Sequence, residues 1–138
     1  MNLDESKDFY KKISEMGKYL QDEGMPLAYH HHMGTVIESQ DDTERLLENT
    51  HDSVKLTLDT GHMLFAQGDS KKIINNFNER LIHVHCKDIR KEVLENSLKN
   101  DLSFRGAFLE GAFTVPGDGC IDYKLSLIHI SEPTRRTP

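Results

Sequence analysis

Imidazoles and a carboxylate recur at the ends of three short apolar stretches, a pattern suited to metal ligation or proton transfer. Leu56-Thr57-Leu58-Asp59-Thr60-Gly61-His62 closes an alternating run that begins at Val54. Strand side chains alternate in facing, so Val54, Leu56 and Leu58 share one side and Lys55, Thr57 and Asp59 the other. Asp is disfavoured inside strands, so Asp59 reads as the C-terminal mouth of this one. A carboxylate there, with an imidazole three residues on, can build a metal or acid/base site. The competing reading makes Asp59 or Thr60 the cap of a following helix.

Two further stretches favour the first reading. Leu81-Ile82-His83-Val84-His85-Cys86 sets His83 and His85 on one face, and Leu27-Ala28-Tyr29-His30-His31-His32 sets His30 and His32 on one face. Members of each pair lie about 7 Å apart along the strand. With Asp59 they can converge on one divalent cation, and mixed imidazole and carboxylate ligation suits Mn, Co, Zn or Fe. The plainer readings are a fortuitous polar run at residues 30–32 and hydrogen-bonded core imidazoles at His83 and His85; two pairs together with Asp59 and His62 weigh against them. Lys87, Asp88 and Arg90 follow His85 directly. They either face substrate at the mouth or begin a helix capped by Asp88. Gly117-Asp118-Gly119 reads as a plain turn, because no phosphate-loop pattern surrounds it.

The elements that must position these residues alternate. Phe9, Ile13, Met16 and Leu20 mark an amphipathic helix over 4–23, stopped by Gly24 and Pro26. Ser39 and Asp42 stand at capping-box spacing before a helix through Leu46 and Leu47. Asp69 or Ser70 caps a helix with Ile73, Ile74 and Phe77, and residues 90–99 form another. The stretch from Phe104 to Phe113 is helical but interrupted at Gly106 and Gly111. Strands alternating with helices indicate a parallel sheet of the α/β class. Each strand has one apolar face and one face ending in ligand-type residues. Doubly wound sheets bury both faces, whereas a barrel's inner face can be polar near its mouth. A partial (β/α)8 barrel is therefore expected.

Composition narrows the function. The chain has 138 residues, short for a complete barrel of about 250. A net charge of −6 argues against nucleic acid as a partner. No apolar run approaches the roughly 20 residues that span a bilayer, so no membrane partner is expected. Cys86 and Cys120 form neither a disulfide framework nor a Cys-x-x-Cys motif, which suits a cytoplasmic location.

Four motifs together resemble the inosose dehydratase family of the xylose-isomerase-like TIM barrels. They are Ala28-Tyr29-His30-His31-His32-Met33-Gly34-Thr35, Asp59-Thr60-Gly61-His62, His83-Val84-His85-Cys86-Lys87-Asp88 and Phe113-Thr114-Val115-Pro116-Gly117-Asp118-Gly119-Cys120-Ile121-Asp122. The first and last are specific to the dehydratases; Asp-x-x-His and His-x-His are shared with sugar epimerases and endonuclease IV. The resemblance implies dehydration of 2-keto-myo-inositol (scyllo-inosose) to 3D-(3,5/4)-trihydroxycyclohexane-1,2-dione in inositol catabolism, with Mn2+ or Co2+ and with glutathione as a candidate cofactor. The implied metal ligands are a Glu, the Asp of Asp-x-x-His, the second His of His-x-His and a second Glu. Asp59 and His85 match two of these. The first Glu would fall near His30-His31-His32, where no carboxylate occurs before Glu38, so His30 or His32 substitutes. The second Glu belongs to a later strand. His62 is the candidate for hydroxyl contact or acid/base work. Lys87 and Arg90 are candidates for contacts to substrate oxygens. The expected partner is a small cyclic polyol ketone, and an oligomer is left open.

The tail differs in character. Leu125-Ser126-Leu127-Ile128-His129-Ile130-Ser131-Glu132-Pro133-Thr134-Arg135 resembles the translation of a transposon adapter used in sequencing libraries. The expectation is a partial barrel over 1–124, lacking N-terminal strands and the last strand or strands, followed by a non-native tail over 125–138. The alternatives are a ketose isomerase or epimerase on the same barrel, and an inactive truncated half-barrel.

Overall fold

The computed structural model describes residues 3–123, and the tail over 125–138 lies outside them. Helix α1 (Leu3–Asp22) leads into strand β1 (Leu27–His30), and α2 (Gln40–Glu48) into β2 (Val54–Asp59). Two helices follow, α3 (Thr60–Phe65) and α4 (Ser70–Phe77), before β3 (Leu81–His85). The short β4 (Asp88–Ile89), α5 (Lys91–Lys99), α6 (Phe104–Leu109) and β5 (Phe113–Thr114) complete the order.

The three expected strands form one parallel sheet in the order β1-β2-β3. No closed barrel is present among the described residues; the sheet is an arc of one. The capping box holds, with Asp42 N–H donating to Ser39 Oγ and Ser39 N–H to Asp42 Oδ2. Gly24 takes the positive φ of 76° that ends α1. Asp69 caps α4. Leu47, Leu56, Leu58, Met63, Ile73 and Ile74 form the core between the sheet and its helices. The buried Arg80 side chain donates to the Val54 and Leu47 carbonyls, which fixes the start of β2.

One irregularity decides what stands beside Asp59. Leu56 pairs with Leu81, but Thr57 pairs with His83, so Ile82 is an extra residue on β3. Without that bulge Asp59 would pair with Val84, and every later side chain of β3 would face the wrong way. With it, Asp59 pairs with His85. Ile82, expected on the covered apolar face, is 45% exposed.

Three local features differ from the sequence expectation, and one agrees with it. Strand β1 ends at His30, so alternation does not govern His31 and His32. Helix α3 starts directly after Asp59, as the helix-cap reading of that residue requires. Gly106 does not break α6; its N–H bonds the capping Ser103 Oγ, and Gly111, with φ 79°, ends the segment instead. Strands β4 and β5 pair antiparallel, off the main sheet. Among the described residues, no helix is long and apolar enough to cross a membrane.

Candidate metal centre and active site

Asp59 serves two structures at once, one with each carboxylate oxygen. Oδ1 accepts from Gly61 N–H (3.1 Å) and His62 N–H (3.0 Å), capping α3. Oδ2 faces one ammonium and two imidazoles: Lys87 Nζ at 2.9 Å, and His30 Nε2 and His85 Nδ1 each at 3.4 Å. The cap reading of the sequence is realised at Oδ1, and Oδ2 is left among the groups that the ligand reading named. Burial works against ionisation of Asp59, yet the His62 N–H and the Lys87 ammonium outweigh it and hold the carboxyl below its ordinary range.

His62 is brought to the same place by the first turn of α3. Its Nε2 lies 3.1 Å from Lys87 Nζ. An ammonium only donates, so Nε2 accepts and the ring proton sits on Nδ1. Burial, with the positive charge of Lys87 adding to it, lowers the His62 pKa to about 3, so the ring is neutral at physiological pH.

His30, Asp59 and His62 offer ligand atoms that all lie within 4.8 Å of one another. His30 Nε2 is buried without a hydrogen-bond partner, and Asp59 Oδ2 has contacts of charge but no aligned hydrogen bond. Partnerless buried polar atoms around one buried carboxylate fit a divalent cation, and two imidazoles with a carboxylate are a donor set for Zn, Mn, Co or Fe.

The structure thus brings together Asp59, His30, His85, His62 and Lys87. His32 stands one step out: its ring lies 3.7 Å from that of His62, centroid to centroid, and Nδ1 is 2.7 Å from the Met33 carbonyl. Arg90 is not brought to this group. Its guanidinium donates to the Gly111 carbonyl, Thr114 Oγ1 and Asp118 Oδ2. Glu38 does not supply the missing carboxylate; it accepts from Gly34 N–H. Asp88 does not cap α5 either. It accepts from the N–H groups of Ile89, Gly117, Gly119 and Ile121, so the loop after β5 is wrapped around it.

Sequence reasoning missed His31 and Tyr123. His31 is fully buried, and its Nε2 accepts the Asp59 N–H at 3.2 Å. Burial lowers its pKa to about 4, which preserves that acceptor. Strand alternation pointed it away from His30, and only the end of β1 at His30 reverses this. Tyr123 reaches the site from far along the chain, and no local spacing signals it. A cavity of about 330 Å³ opens beside the cluster, with His32, His62 and Lys87 at its polar end and Phe104, Phe108 and Phe113 as its wall.

The chain is similar to several known proteins. The chain is 39% identical over 129 residues to the rhizopine catabolism protein MocC of Rhizobium meliloti, covering 94% of this chain and 40% of that protein. It is 42% identical over 124 residues to an inosose dehydratase of Clostridium beijerinckii, covering 89% and 42%. The chain therefore spans about 40% of the length of these relatives. Among solved structures, the probable 3-DHS dehydratase AsbF from Bacillus anthracis superposes with a TM-score of 0.74 at 16% identity, covering 94% of this chain and 48% of that one. The IOLI protein with a binding zinc atom superposes with a TM-score of 0.61 at 17% identity, covering 86% and 40%. Residues 3–131 match the family model of the xylose isomerase-like TIM barrel, and the chain belongs to that family.

Proposed function

We propose that this chain carries the metal-binding strands of a carbon–oxygen lyase that dehydrates a cyclic polyol ketone, 2-keto-myo-inositol, with Mn2+ or Co2+. The observation that carries this reading is the convergence of His30, His85, His62 and Lys87 on the buried Asp59. The likeness to inosose dehydratases over most of the chain supports it, and the zinc in the IOLI structure supports a metal at such a site.

Dehydration beside a ketone breaks the C–H bond at the α-carbon and the C–O bond at the next carbon. The α-proton and the departing hydroxyl together account for the one water lost, and the resulting enol tautomerises to the dione. A divalent ion held by Asp59, His30 and either His85 or His62 would stabilise the negative charge that develops on the ketone oxygen. Lys87, cationic and half-exposed at the cavity, is placed to give the proton that the departing hydroxyl needs. An imidazole held near 3 is a feeble base, so His62 acts as a hydrogen-bond acceptor, from Lys87 or from a substrate hydroxyl. Phe104 and Phe113 suit the ring itself, because equatorial hydroxyls leave C–H groups on its faces to pack against aromatic side chains.

The test is turnover by the full-length product of the encoding gene, loaded with Mn2+ or Co2+. Water loss from scyllo-inosose should exceed any reaction of fructose or psicose. Comparable or faster ketose turnover would replace this reading with the epimerase one.

A further inference from the structure

We infer that Thr60 and Tyr123 form a hydroxyl clasp whose task is to set the position of Lys87 against Asp59 and His62. Thr60 Oγ1 lies 2.8 Å from the Lys87 carbonyl, 3.2 Å from the His85 carbonyl and 2.9 Å from Tyr123 Oη. Tyr123 in turn donates to the Lys87 carbonyl at 2.7 Å. Two hydroxyl protons thus serve the carbonyls of the two residues that reach Asp59 from β3 and its extension. Thr60 is covalently next to Asp59, so the clasp ties the carboxylate's own backbone to the segment bearing its partners.

The fit between the two segments is independently tight. A Cβ on Gly61 would stand 2.7 Å from Lys87 Cβ and 3.2 Å from the Lys87 carbonyl, so only glycine lets α3 and residue 87 approach this closely. Tyr123 is delivered by the loop wrapped around Asp88, whose carboxylate also bonds Ile121 N–H. The chain after β5 therefore closes over Lys87 and fixes its backbone, while the ammonium end stays free to reach the cavity. Neither hydroxyl touches the cavity, so both residues act through Lys87 and are positioning residues. Thr60 is not used as a helix cap; Asp59 fills that part.

The clasp rests on Lys87 being a working group of the proposed dehydratase, and two readouts keep the failures apart. In the full-length gene product, Thr60→Val should lower kcat on scyllo-inosose about tenfold or more with KM within about twofold, because the geometry of one reacting group is lost rather than substrate binding. Bound metal should remain stoichiometric. Thr60→Ser should restore kcat and Tyr123→Phe should fall between. Independently of turnover, labelling of Lys87 by an amine-directed acylating reagent, followed by mass spectrometry, should rise severalfold in Thr60→Val and Tyr123→Phe over the parent. If the parent lacks inosose turnover, the dehydratase reading falls and the labelling decides the clasp. Unchanged Lys87 labelling in both variants, or Thr60→Ser as impaired as Thr60→Val, would overturn it.

Discussion

The Lys87 ammonium stands 2.9 Å from Asp59 Oδ2 and 3.1 Å from His62 Nε2, two of the atoms a divalent cation would draw on. Without metal, the protein's own cation compensates the buried carboxylate. A metal ion at this site would meet a like charge on the same oxygen, and Lys87, half-exposed at the cavity, has room to move away.

Removing that competitor should tighten metal binding. Lys87→Met is expected to lower the Kd for Co2+ by roughly tenfold, a modest figure because the ammonium is partly solvated. Lys87→Arg keeps the charge and should give no such gain. Calorimetric titration reads both variants, and weaker Co2+ binding in Lys87→Met would show that the lysine supports the ion instead of excluding it.

The divided use of Asp59 gives a second expectation. Asp59→Asn keeps an oxygen for the Gly61 and His62 N–H groups but loses the charge. Bound metal should disappear while α3 stays capped. Asp59→Ala loses both, and should be less stable than the Asn variant by about 1 kcal/mol in metal-free unfolding, the usual worth of an N-cap. His85→Ala decides the third ligand: metal is lost where His85 holds it and retained where His62 does. Stoichiometric metal in Asp59→Asn by elemental analysis would remove Asp59 from the ligand set, and equal stability of the Asn and Ala variants would remove its capping role.

Much of this site was legible from residue types. Asp59 and His85 face one another as their places on successive strands suggested, and His30 joins them. The register was not legible. Alternation within β2 and within β3 says nothing of how they slide past each other, and the bulge at Ile82 is what sets His85 opposite Asp59. The role of Asp88 was hidden for a related reason: its four N–H donors come mostly from a loop some thirty residues later, which local spacing reads as a plain turn. Arg90, adjacent in sequence to the site, is turned to that same loop by Asp118.

Asp88 should make the fold sensitive to acid. Burial alone would raise its pKa, but the N–H groups of Ile121, Ile89, Gly117 and Gly119 together lower it below the ordinary 3.8. A carboxyl with a depressed folded pKa contributes stability that is full above its unfolded pKa and lost as pH falls through the folded value. Denaturant unfolding should therefore weaken below about pH 4, with Asp88 as one contributor. Asp88→Asn should cost about 2 kcal/mol at neutral pH, the range for hydrogen bonds to a charged group, and should flatten the acid limb. An unchanged acid limb in that variant would assign the transition to other carboxyls, Asp59 first among them.

The last expectation concerns the 138-residue chain by itself: it should associate with its own copies and turn over no inosose. Strands β1 and β3 border the described sheet and each pairs on one side only, so each presents a row of free backbone groups to another strand. Apolar surface accompanies them, with Ile82 on β3 45% exposed and Phe108, Leu109 and Val115 58, 72 and 68% exposed. In relatives about two and a half times as long, further chain is available to cover such surfaces, since this chain spans only 40–42% of them. Sedimentation velocity should show a species distribution that shifts to larger sizes with concentration. Ile82→Lys, which puts a charge on the β3 edge, should reduce that shift without touching Asp59 or His85. Residues 1–124 should behave like the whole chain if the tail is adapter-derived, because nothing selected it to pack. A monomeric, cooperatively unfolding and active 138-residue chain that loses those properties when residues 125–138 are removed would overturn both the partial barrel and the foreign tail.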